Sequence, residues 1–156
     1  MKTTNRKLQW WLDEYSKSHR NPINKTIHYF CVPIIVMSLM GLLMNIPQTN
    51  YLPKNFNCCL LVIFLSLVFY ASISLRHTIY MTLFFLFCYS INITMTEVLG
   101  QKLFLYSCIF MFVVSWVLQF IGHVIEGKKP SFLRDIQFLL IGPLWIMDHI
   151  MNMFSN

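Results

Sequence analysis

Two stretches of this chain carry residues whose types and spacing can do chemistry. One is Gln119-Phe-Ile-Gly-His123-Val-Ile-Glu126, which closes a long apolar run. The other is Ser18-His19-Arg-Asn-Pro-Ile-Asn24-Lys-Thr-Ile-His28, which opens another. His123 and Glu126 are three positions apart and so share a helix face, with Gln119 one turn earlier on it. His19 and His28 have Pro22 between them, so they cannot share one helix face, but a turn can bring both towards one point. Imidazoles and a carboxylate beside apolar spans are costly and need a reason to be there. Neutral imidazoles with one carboxylate and open coordination positions suit ferrous iron that must also bind oxygen and substrate, with zinc as the competing metal. His19, His28, His123 and Glu126 are therefore the candidate metal ligands, and His123 and Glu126 the candidate catalytic pair. Binding to neutral imidazole should weaken below about pH 6. The bland alternative is that the histidines are hydrogen-bonded interface anchors and Glu126 a solvated partner of nearby lysines. His77, beside Arg76 in a short turn, is the expected bystander.

The elements that must position these residues are apolar helices. The chain has 156 residues, is 56% hydrophobic and only 12% charged, with a mean hydropathy of +0.57. A soluble domain carries about a quarter charged residues. Four nearly charge-free stretches, at about 27–46, 57–75, 78–96 and 103–125, approach the roughly 20 residues needed to cross a bilayer. The expected fold is an all-α polytopic membrane protein forming a single domain over 1–156. Residues 4–19 read as an amphipathic interfacial helix, with Leu8, Trp11, Leu12, Tyr15 and His19 on one side. Asn21-Pro22 should end that helix, and Thr26 should cap the first span. Residues 132–154 form a weaker apolar segment interrupted at Gly142-Pro143, read as a broken re-entrant or interfacial helix rather than a fifth span. The first apolar run is of spanning length and should stay as an anchor rather than be cleaved.

The net charge of +6 follows from topology rather than nucleic-acid binding. With the N-terminus in the cytoplasm, only Lys54 and Lys102 of the 12 Lys and Arg residues fall in outer loops, a strong positive-inside bias. That orientation puts His19, His28, His77, His123 and Glu126 on the cytoplasmic side. Pro47–Pro53 is then the first outer loop and Gly127–Pro130 an inner turn. The membrane is the inner one in a bacterial host and the endoplasmic reticulum in a eukaryotic one. The five cysteines show no CxxC spacing and read as small apolar residues. There is no GxSxG, HExxH or Walker A motif, and none of the HxxHH-like boxes of membrane di-iron enzymes. A transporter would need polar residues continuing through mid-membrane, which are missing. A non-catalytic scaffold with structural histidines remains the alternative.

At Trp11-Leu-Asp-Glu-Tyr15, His19-Arg-Asn21-Pro-Ile-Asn24, Ile27-His28 and Val32-Pro33 the chain resembles the Mpo1-like family. The resemblance continues at Gln119-Phe-Ile-Gly122-His123, Glu126 and Pro130, and more loosely at Gly142-Pro143-Leu-Trp. These are small membrane proteins typified by a 2-hydroxy fatty acid dioxygenase of the phytosphingosine-to-odd-chain fatty acid pathway. The resemblance implies an iron(II)-dependent oxygenase that shortens long-chain 2-hydroxy fatty acids by one carbon, taking O2 as co-substrate. It implies His19, His28 and His123 as iron ligands. A glutamate expected a few residues after the Gly-Pro element is replaced here by Asp148-His149, which makes His149 a further ligand candidate. The 2-hydroxy carboxylate could chelate iron while its tail lies among the apolar side chains. Arg20, Arg76 or Arg134 could pair with the carboxylate, and Asn24, Gln119 and Arg20 are the candidate substrate-binding residues.

Overall fold

The computed structural model describes residues 6–47, 57–129 and 137–153, and every regular element among them is an α-helix. The helices are α1 (Arg6–Ser16), α2 (Pro22–Met44), α3 (Cys58–Ala71), α4 (Leu75–Leu99), α5 (Gln101–Glu126) and α6 (Gln137–Met153). Most of the Pro47–Pro53 loop, Lys54, Pro130 and Arg134 lie outside the described residues.

Asn21-Pro22 starts α2 rather than preceding a further turn. The Asn21 side chain accepts a hydrogen bond from the Ile23 amide at 2.9 Å, and Pro22 takes the first helical position, where its missing N–H costs nothing. The helix therefore begins a turn before Thr26, the cap expected from sequence. His28 lies in its second turn and His19 in the short link behind α1. Asn57 caps α3 by accepting from the Cys59 and Leu60 amides. The turn that follows, with Ile73 and Ser74 both donating to the Tyr70 carbonyl, stops α3 after 14 residues. That is roughly 21 Å of helix, shorter than the stretch 57–75 leads one to expect. Gly100 alone joins α4 to α5 at a φ of 74°, a conformation that glycine adopts freely. Gly127, at φ 69°, closes α5, and the Lys128 amide bonds back to the His123 carbonyl.

Three helices, α2, α4 and α5, are long and apolar enough to cross a membrane. Large apolar side chains point outward along the bundle, among them Phe64, Phe87, Phe110 and Val124, the last 79% exposed. A belt of that kind marks a surface that meets a membrane or another protein. α2 and α5 run antiparallel in close contact because each presents a glycine to its neighbours. Gly122 faces Asn24 and Ile27, and Gly41 faces Cys108, Asn92 and Phe104. Asn92 ties α4 to α2 by donating to the Met37 carbonyl at 3.1 Å.

The expected break in the last segment is not present. α6 runs as one helix through Pro143, whose missing donor is tolerated within an otherwise apolar helix. It lies across one end of the bundle. Phe138 packs edge-on against Trp11, Leu140 accepts a hydrogen bond from Tyr70, Trp145 donates to Ser16, and Asp148 meets His77. All five cysteines are free thiols; four are buried and Cys58 is partly so.

Candidate metal centre

α1, α2 and α5 converge at the end of the bundle that α6 covers, and there they bring His19, His28 and His123 together. The ring centroids are 4.3 Å apart for His19 and His28, 5.0 Å for His19 and His123, and 4.9 Å for His28 and His123. Each offers one ligand nitrogen, all within 4.8 Å of one another, and all three residues are buried. His19 Nδ1 lies 2.7 Å from the Tyr15 carbonyl and His28 Nδ1 2.9 Å from the Asn24 carbonyl. A carbonyl only accepts, so in both rings Nδ1 carries the proton and Nε2 keeps its lone pair. His19 Nε2 and His123 Nδ1 are buried with no hydrogen-bond partner among the described residues. Orphaned buried acceptors are costly. These two orphaned nitrogens, with a nitrogen of His28 within 4.8 Å, are what a divalent metal would satisfy, so the residues present fit a bound metal.

Burial pushes the His19 imidazole down to about 3, with His28 acting in the same direction and the Tyr15 carbonyl opposing. His19 is thus a neutral, ligand-ready base well below the pH 6 at which an ordinary histidine would protonate. The Tyr15 ring lies parallel to it at 4.1 Å, and burial also pushes the Tyr15 phenol up. Gly142 lets α6 approach so closely that a Cβ there would lie 2.9 Å from the Tyr15 hydroxyl. Trp145, from the same Gly-Pro-Leu-Trp element, sits 5.7 Å from His19 and donates to Ser16 Oγ at 2.9 Å. Sequence reasoning placed Tyr15 only on an amphipathic face and left Trp145 without a role. The signal was the i to i+4 spacing of Tyr15 and His19.

Glu126 stands beside the three histidines without joining them. Its carboxylate accepts from the backbone amides of Arg20 at 2.9 Å and Asn21 at 2.7 Å, and from the Asn24 side chain at 3.2 Å. It clamps the link carrying His19 to the end of α5. Asn24 also donates to the Ser18 carbonyl at 3.1 Å. The structure does not bring His149 into the group either. It is exposed, with its ring stacked 5.3 Å from Tyr29. Asp148 is engaged with His77, whose other nitrogen meets Ser74 Oγ at 2.9 Å. His77 is buried but lies outside the histidine group.

A cavity of about 220 Å³ opens from the three histidines into the bundle. Its lining is apolar apart from the histidines, Tyr15, Ser66, Tyr70 and Gln119. Of the residues expected to touch substrate, Gln119 lines this cavity, whereas Arg20 and Asn24 do not.

A family model described as 2-hydroxy-palmitic acid dioxygenase Mpo1-like matches residues 5–154. No curated protein and no solved structure matches the chain.

Proposed function

The chain belongs to the Mpo1-like family, and on that premise we propose that it is an iron(II)-dependent dioxygenase that shortens long-chain 2-hydroxy fatty acids by one carbon. The observation that carries this reading is the buried group of His19, His28 and His123, with two orphaned nitrogens, opening onto an apolar cavity. His19 and His28 would bind metal through Nε2 and His123 through Nδ1. Ferrous iron held there would supply open positions for dioxygen and for the hydroxyl and carboxylate oxygens of the substrate. The overall balance needs no external reductant. The C1–C2 bond breaks, one O2 is consumed, C2 becomes the new carboxyl carbon, and C1 leaves as carbon dioxide with one water.

The protein's own side chains bind and orient. Gln119, on the cavity lining one turn from His123, would hydrogen-bond the polar head. The apolar walls below it bury the tail and exclude water. The Tyr15 and Asn24 carbonyls fix the His19 and His28 tautomers, and Glu126 holds the link between them. Holding the head group in one orientation is how such a site lowers the barrier. The protein is a single membrane unit with its N-terminus in the cytoplasm. α2, α3, α4 and α5 cross, and α1 and α6 cover the cytoplasmic end.

The test is product analysis after anaerobic loading with iron(II) and exposure to oxygen. 2-Hydroxyhexadecanoate should give the acid one carbon shorter, and hexadecanoate should give none, because it lacks the hydroxyl. His123→Ala should abolish turnover and lower bound iron, while His77→Ala should keep most of both. Wild-type protein that retains no divalent metal would overturn the reading. So would equal turnover of the hydroxylated and plain acids.

A further inference from the structure

One face of α2 runs along the cavity. On α2, His28, Val32, Val36, Leu39 and Leu43 all line it. They recur at three- and four-residue spacing, which is a single stripe. From His28 to Leu43 that stripe is roughly 22 Å long at 1.5 Å per residue. α3 runs alongside in the opposite direction. Tyr70 is near the histidine end and Cys59 at the far end, with Ser66 and Ile63 between them on the same lining. The lining ends at Leu43 on α2 and Cys59 on α3; Cys59 is fully buried in the packed core and Leu43 packs against that core. Gly41 points the other way, into α4 and α5, so α2 offers no opening there.

A tube with histidine nitrogens at one end and a buried apolar floor at the other measures length. We propose that this cavity is a ruler for one straight acyl chain. The α2 stripe seats the chain, and the floor at Leu43 and Cys59 sets the longest chain that fits with its head at the histidines. The head's position rests on the dioxygenase reading above; the ruler itself needs only a tail in the tube. Each methylene buried in the tube tightens binding by about fourfold. Affinity should therefore climb steeply with chain length and stop climbing once the tail meets the floor. One helical turn is roughly 5.4 Å, or about four carbons of extended chain. A bulky side chain one turn higher should lower the limit by that much.

The experiment measures binding, not turnover. Straight-chain fatty acids from eight to twenty carbons displace a fluorescent fatty acid from metal-free protein in nanodiscs, with empty nanodiscs as background. The wild type should show a break in affinity against length. Leu43→Trp should move the break to shorter chains, Leu39→Trp should move it about four carbons further, and Leu43→Ala should move it to longer ones. At a length between the Leu39→Trp and wild-type limits, the variant should bind about 100-fold more weakly. Shifts in opposite directions cannot come from general loss of structure, and Leu39→Phe substitutes if the tryptophan variant fails to fold. Affinity that climbs identically in the wild type and every variant would overturn the ruler. Ordered breaks in a protein that never turns over a 2-hydroxy acid would support the ruler and sink the dioxygenase reading. Turnover with no break at any length would do the reverse.

Discussion

At the scale of single residues, the site divides into groups that could hold a metal and groups that hold those groups. The sequence made the first set readable. Histidines in apolar surroundings are rare enough to stand out, and His19, His28 and His123 do meet. It left the second set ambiguous, because a carboxylate three residues from a histidine is equally placed to bind metal or a nearby amide. Glu126 takes the amides of Arg20 and Asn21. Glu126→Gln should therefore weaken metal binding by roughly 10–100-fold, the usual cost of losing an orienting partner, whereas His123→Ala should remove it. Metal titration separates the two roles, and equal losses would make Glu126 a ligand. His19 also sets a pH dependence. Its folded-state value of about 3 lies below the ordinary 6.5. Below pH 6.5 the unfolded chain takes up a proton that the folded chain refuses. Its contribution to stability is thus full above pH 6.5 and falls between 6.5 and 3, by about 1 kcal/mol per pH unit. Metal-free protein should have a lower thermal midpoint at pH 5 than at pH 7, and His19→Gln should reduce that difference. An unchanged difference would show that His19 is not the titrating group.

At the scale of elements, hydropathy located the helices well but their ends less well. Asn21-Pro22 is equally a stop for one helix and a start for the next. The structure uses it as a start, because the Asn21 side chain caps α2 while the His19 link is held by Glu126 instead. Gly142-Pro143 reads as a break but is a contact. Gly142 admits the Tyr15 hydroxyl, and the helix continues past Pro143. Close approach between helices was not legible, since it depends on which glycine meets which partner. Gly122 is the position where this matters for the site. A methyl group there would overlap the Asn24 amide oxygen, and Asn24 also bonds Ser18 and Glu126. Gly122→Ala should cost about 1–3 kcal/mol as an overpacked contact and weaken metal binding as well. Gly41→Ala, whose added methyl would lie 2.5 Å from the Cys108 sulfur at the other end of α2, should cost stability alone. Thermal midpoints and metal titrations of the two variants make the comparison. Intact metal binding in Gly122→Ala would show that the close packing of α2 on α5 does not hold the site.

At the scale of the whole molecule, the histidine contact constrains how the chain could cross a membrane. His28 stands near the start of α2 and His123 near the end of α5, and their rings are 4.9 Å apart. Two points of a chain on one side of a bilayer are separated by an even number of crossings. Three helices are long enough to span, which is odd. The membrane reading therefore requires α3 to be the fourth crossing, although its 14 residues make only roughly 21 Å against a hydrocarbon core of about 30 Å. Local thinning of the bilayer beside α3 accommodates such a mismatch at modest cost. Single cysteines in a background lacking the five native ones test this, using a membrane-impermeant thiol reagent on sealed vesicles of known orientation. Ile46→Cys, after α2, and Gln101→Cys, at the start of α5, should react from the periplasmic or lumenal side. Ser72→Cys, after α3, and Lys129→Cys, after α5, should react only from the cytoplasmic side. If Ile46 and Ser72 report the same side, α3 does not cross. The histidines could not then meet across one face of the bilayer, and the metal centre would have to be abandoned along with the topology.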